Sequence, residues 1–248
     1  MKEFKQMPIQ SALAIIFLLG ASQSAFSHTR LETPVVVEGL RTSNNVVISH
    51  GCGDGTKVIA SSVVFPDGED SIVKVNGAVT TSPITDFISN WGNLNQKILN
   101  HSVFAFEDEK IDPLGNVVGF WVKGGKIPDY YTAYVPFRNS AAVIEPTSCA
   151  VSVKIVLGIA DICKMTNKAG FADGILSLWT PAVGSDYDGP GMHGYDSPAT
   201  LTVMRDLVNK PLDASCGAGD AIEIIPSAAQ LNRDMPIVDK GKPVWPKP

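Results

Sequence analysis

Positive charge is scarce in this chain of 248 residues: 20 Lys and Arg against 25 Asp and Glu give a formal net charge of -5. A nucleic-acid partner calls for a basic stripe to meet phosphates, so the balance argues against one. Beyond residue 21 there is no long apolar run, and a bilayer span needs about 20 such residues. Histidine occurs only at positions 28, 50, 101 and 193. Cysteine occurs only at 52, 149, 163 and 216, never at the close spacing of a zinc knuckle. Gly-x-Ser-x-Gly, His-Glu-x-x-His and phosphate-loop motifs are missing, which speaks against the corresponding hydrolase and nucleotide chemistries. Internal repeats are absent as well.

What is present begins with a secretory signal. Lys2 and Lys5 precede an apolar run from Ala12 to Ala21, and Ala25-Phe26-Ser27 supply small residues at an exit. Cleavage there leaves 248 less 27, or 221 residues, starting His28-Thr29-Arg30-Leu31-Glu32. Loss of Lys2, Glu3 and Lys5 takes the charge from -5 to -6. The expected location is the periplasm or the exterior, without a membrane span. An even cysteine count in an exported chain reads as two disulfides, for which three pairings exist.

The sequence after residue 27 is cut into short β-favouring runs: 33–38, 45–49, 56–65, 71–75, 117–122, 132–137, 152–158, 175–179 and 199–204. Turn clusters such as Pro66-Asp67-Gly68 and Asp188-Gly189-Pro190-Gly191 separate them. The pattern predicts an all-β antiparallel sandwich over residues 28–225. A short helical insertion is expected over Pro83–Leu99, where Ile84, Phe87, Ile88 and Trp91 fall at helical spacing. Residues 226–248 hold five prolines and read as a Pro-rich, extended tail, or as a strap packed through Trp245.

A histidine at the first position of a chain offers its α-amine and Nδ1 to a single ion. Such an amine loses its proton more readily than a lysine, with an ordinary pKa of about 7.7 to 8.0. Cu(II) favours tetragonal nitrogen and oxygen donors and is the expected occupant, with zinc as competitor. On a strand, His28, Arg30 and Glu32 share a face, which makes Glu32 the candidate carboxylate ligand. It could equally be a solvated glutamate on an edge strand. Cleavage one or two residues away would leave His28 a plain surface group. His50, before Gly51-Cys52, could be a second ligand or support the site by hydrogen bonding. His101 and His193 sit in polar loop contexts.

Several segments, taken in order, resemble the YcnI-like copper-binding domains of bacteria. They are His28-Thr-Arg-Leu-Glu-Thr-Pro, Glu38-Gly39, Ile48-Ser-His-Gly-Cys-Gly-Asp-Gly55 and Val64-Phe-Pro-Asp-Gly68. Phe120-Trp-Val-Lys-Gly-Gly-Lys-Ile-Pro-Asp129, Asp173-Gly-Ile-Leu-Ser-Leu-Trp179 and Ser197-Pro-Ala199 complete the series, which covers most of residues 28 to 204. The resemblance implies an immunoglobulin-like or cupredoxin-like sandwich holding Cu(II) at a single-histidine brace, His28, with Trp179 nearby and a carboxylate for which Glu32 is the choice. It also implies the pairing Cys52–Cys163 together with Cys149–Cys216. The chain departs from that family in the length of the stretches 84–109 and 163–179, and in ending on a proline-rich tail where the family often carries a membrane helix.

Three functions compete at this level. The first is a non-enzymatic copper-binding protein in copper homeostasis, acquisition or delivery, whose partner is another copper-trafficking protein or a copper membrane transporter. The second is a copper-dependent polysaccharide monooxygenase-like enzyme, which needs a second histidine to complete a T-shaped brace. The third is a structural sandwich in which His28 has no metal role.

Overall fold

The computed structural model describes residues 28–53 and 55–248; the signal expected over residues 1–27 lies outside them. Among the described residues, three sheets and a terminal hairpin account for the strands. One sheet runs β1 (Arg30–Leu31), β3 (Thr42–Ile48), β10 (Ala133–Asn139) and β7 (Asn95–Lys97). A second runs β13 (Leu176–Trp179), β12 (Gly158–Ile162), β4 (Lys57–Val64), β9 (Val117–Pro128) and β8 (Phe106–Ile111). The third runs β2 (Val35–Val37), β14 (Thr200–Met204), β11 (Ala150–Val156), β15 (Asp220–Ile225), β5 (Ile72–Val75) and β6 (Ala78–Thr80). All nine strand-like runs of the sequence become strands or parts of them.

The expected all-β sandwich is what forms. Inward residues of all three sheets share one apolar core, with Val46 and Phe137 from the first, Phe120 and Ile159 from the second, and Val153 and Ile224 from the third. Pairing is mostly antiparallel, but β11–β15 and β2–β14 are parallel. Parallel neighbours need a long connection, and here β12, β13 and β14 intervene between β11 and β15.

The sheet containing β12 is buried on both faces. Along β12, Ile159 faces the shared core while Ala160 and Ile162 join a second cluster with Leu176, Leu178 and Trp121. That two-sided burial explains why Gly158–Ile162 lacks polar alternation. Its cover is the chain's C-terminus, which brings Leu231, Met235, Ile237 and Trp245 into the cluster.

Two expectations are corrected here. The insertion 83–99 is not a helix of several turns but one 3-10 turn, Ile84–Asp86, followed by β7. Gly92 and Asn93 both take positive φ, which ends any helical course, and the next residues pair with β10. Ile84 and Ile88 are buried all the same. The tail is not a loose extension: Ala228–Asp234 is an α-helix capped by the Ser227 side chain, and Ile237–Asp239 pairs with Lys242–Trp245 as β16 and β17. Trp245 is fully buried, as the strap reading requires. No helix among the described residues is long and apolar enough to cross a membrane.

Candidate metal centre

The site is built on a buried carboxylate. Asp161 shares the inward face of β12 with Ile159, and β13 runs beside it with Trp179 opposite Ile159. Asp161 is 2% exposed, so its charge needs donors. Trp179 Nε1 donates to Oδ2 at 2.8 Å, Thr29 Oγ1 donates to the same oxygen at 2.5 Å, and Ser61 Oγ donates to Oδ1 at 2.8 Å. Burial pushes the Asp161 carboxyl above the usual carboxylate range, while these three donors pull the other way. The carboxylate thereby orients the indole and clamps the residue next to His28.

Around Thr29 the alternation of a strand does the rest. Thr29 and Leu31 are buried, so His28, Arg30 and Glu32 point outward. The exposed His28 ring lies 5.1 Å from the Trp179 ring, tilted by 43°. His50, just past β3, meets the same indole at 5.6 Å, and His193, between β13 and β14, meets it at 5.0 Å. Three of the four histidines therefore gather about one tryptophan. His50 and His193 also touch each other, with Nε2 atoms 3.2 Å apart. Burial, and then the neighbouring His50, lower the pKa of His193, which favours its neutral form.

Covalent and backbone restraints hold these loops. Cys52 and Cys163 form a disulfide with a Cα–Cα distance of 6.1 Å, joining the His50 loop to the end of β12. Cys149–Cys216 ties the start of β11 to the turn before β15. Both pairs are those the family resemblance implies, and they belong to an oxidising compartment. The His193 carbonyl accepts from Leu178 N at 2.9 Å. Gly194 follows at φ +86°, and a Cβ there would fall 2.8 Å from the Trp179 ring, so only glycine lets this loop lie on the indole.

Of the four site residues read from the sequence, the structure brings His28, His50 and Trp179 together. Glu32 stands on the His28 side of the strand, exposed, and its Oε2 accepts from Asn45 Nδ2 at 2.6 Å. His101 is placed elsewhere, with Nε2 3.4 Å from Glu107 Oε1. Trp121 is a core residue, as large aromatics in strands usually are. Sequence reasoning missed Asp161 and Thr29 and undervalued His193. The signal for Asp161 was a lone carboxylate inside the apolar run Gly158-Ile-Ala-Asp-Ile162; no comparable signal marked His193.

Among the described residues, no group of three or more His, Cys, Asp or Glu side chains is arranged to hold an ion by itself. The one pair of imidazole nitrogens brought into contact is His50 Nε2 and His193 Nε2, while the His28 ring meets Trp179.

No family model matches the chain. No curated protein matches it. A solved structure of an uncharacterized protein from Nocardia farcinica, described as revealing an immunoglobulin-like fold, is similar at 11% identity and a TM-score of 0.39, over 71% of this chain and 98% of that one.

Proposed function

We propose that this is an exported Cu(II)-binding protein of the YcnI-like kind, which holds the ion at His28 after removal of residues 1–27 and acts in copper homeostasis, acquisition or delivery. The observation that carries this reading is the packing of His28 on Trp179, 5.1 Å between ring centroids, with two further imidazoles on the same indole. The α-amine and Nδ1 of residue 28 would be the chelating pair, and Glu32 the carboxylate once it leaves Asn45. His28 is exposed, which suits an ion passed by ligand exchange to another copper-trafficking protein or a copper membrane transporter. Cu(II) supplies Lewis acidity and one-electron redox capacity when bound. The chain supplies donors, an indole wall fixed by Asp161, and the disulfide that holds His50 in place.

The test is Cu(II) titration of the protein beginning at His28 against a form with one alanine before it. Turning the amine into a peptide nitrogen should weaken binding by orders of magnitude; equal affinities would refute the clasp. A mass spectrum of the exported protein fixes its first residue.

The position of His50 and His193 beside Trp179 favours one second reading. A monooxygenase-like brace needs another imidazole near the chain start, and two are close to the same ring. Sustained oxygen consumption on a glycan by the copper-loaded, reduced protein would establish it in place of the binding-protein reading.

A further inference from the structure

His50 and His193 reach each other from loops 143 residues apart, edge against face, with an interplanar angle of 81° and ring centroids 4.7 Å apart. The His50 Nδ1 atom contacts the Gly51 carbonyl. A carbonyl only accepts, so a hydrogen on Nδ1 serves this contact, and in the neutral ring that leaves Nε2 as the acceptor facing His193 Nε2. An imidazole that donates one N–H to a backbone carbonyl and keeps the other nitrogen bare is oriented as metal-bound histidines are. On the other side, the His193 backbone is fixed by its bond from Leu178 and by Gly194 against the indole.

The spacing of the two nitrogens narrows the chemistry. With metal–nitrogen bonds of about 2.0–2.1 Å, two donors on one tetrahedral ion stand about 3.3 Å apart, whereas donors at a right angle stand about 2.9 Å apart. The separation here is 3.2 Å, nearer the tetrahedral value. A plain N–H···N bond has that length too, and binding an ion would replace it: His193 moves its hydrogen from Nε2 to Nδ1 without a change in charge. We propose that His50 and His193 form an imidazole pair that binds a tetrahedral divalent ion, Zn(II), through both Nε2 atoms, whether or not residue 28 has a free amine. Water completes the coordination. This site draws on two imidazoles of the cluster that supports the copper reading of His28, but it does not need the free amine of residue 28.

The experiment uses the protein with one alanine ahead of His28 and both disulfides intact, titrated with Zn(II) by calorimetry. One ion per chain is expected, with affinity at least tenfold weaker in His50→Gln and in His193→Gln and unchanged in His101→Gln. Imidazole ¹⁵N spectra of the parent protein, which need no variant, should show the Nε2 signals of His50 and His193 moving together on zinc addition. Absence of zinc uptake, uptake indifferent to both substitutions, or spectra in which those two nitrogens do not move would overturn the pair as a site. Failure of the copper clasp would show instead as Cu(II) affinity that the added alanine leaves unchanged.

Discussion

Trp179 donates its indole hydrogen to Asp161 across 2.8 Å, and neither side chain is exposed to solvent. The bond joins two neighbouring strands and fixes the orientation of the ring on which three histidines rest. Asp161 therefore governs both local stability and the geometry of the candidate site. Asp161→Leu strands the Trp179, Thr29 and Ser61 donors, at about 1–3 kcal/mol for each buried group left unpaired. Asp161→Asn keeps one acceptor oxygen for both and can donate its amide to the Ser61 hydroxyl, so it should cost much less. Urea denaturation of the two variants checks the order; equal losses would refute this account of the carboxylate.

Trp179 should report copper. It is one of four tryptophans, and bound Cu(II) quenches a nearby indole. In Trp179→Phe most of the copper-induced quenching of fluorescence should vanish while Trp91, Trp121 and Trp245 keep emitting. Quenching that survives intact would place the ion elsewhere.

The two disulfides should separate stability from binding. Removing either as a Cys→Ala pair is expected to cost about 2–5 kcal/mol. Only loss of Cys52–Cys163, which anchors the loop of His50, should also weaken metal binding. Parallel melting curves and metal titrations of the two double variants make the comparison.

The C-terminal strap should be indispensable to solubility. Trp245→Ala opens a cavity in the second core cluster and should destabilise by about 3–5 kcal/mol. Truncation after Ile225 uncovers Ala160, Ile162, Leu176 and Leu178 together, an apolar face prone to association. Size-exclusion chromatography of the truncated protein should show aggregates or a loss of soluble material.

Lys110 gives a pH dependence with a definite sign. Its Nζ donates to the carbonyls of Asp234 at 2.6 Å and Pro236 at 2.7 Å, and burial pulls the ammonium down from 10.5 to about 7. Between those values the unfolded chain holds a proton that the folded chain lacks, so stability from this group rises with pH from about 7 toward 10.5 and is flat below. Urea midpoints at pH 6, 8 and 10 should show this rise in the parent protein and lose it in Lys110→Met.

Runs of β-branched residues between turn clusters determined the strand content, because alternation and turn chemistry are local properties. The nine runs from 33–38 to 199–204 all fell in strands. The pairing Cys52–Cys163 came from a family resemblance, not from spacing, since spacing alone leaves three choices. Helical spacing at Ile84, Phe87, Ile88 and Trp91 misled: the burial of Ile84 and Ile88 was legible, but the backbone that buries them was decided by Gly92, Asn93 and the edge of β10. The tail misled the other way, because five prolines hid a capped helix and a hairpin whose stability comes from covering a sheet face.

The sequence by itself determined that the chain forms a β-sandwich and that His28, Arg30 and Glu32 share one face, since both follow from near neighbours in the chain. Tertiary structure alone decided that His50 and His193 meet on Trp179 and that Asp161 accepts from its indole. Those contacts join residues up to 143 positions apart, and they exist only because β12 and β13 lie side by side under loops that a disulfide and a glycine hold in place.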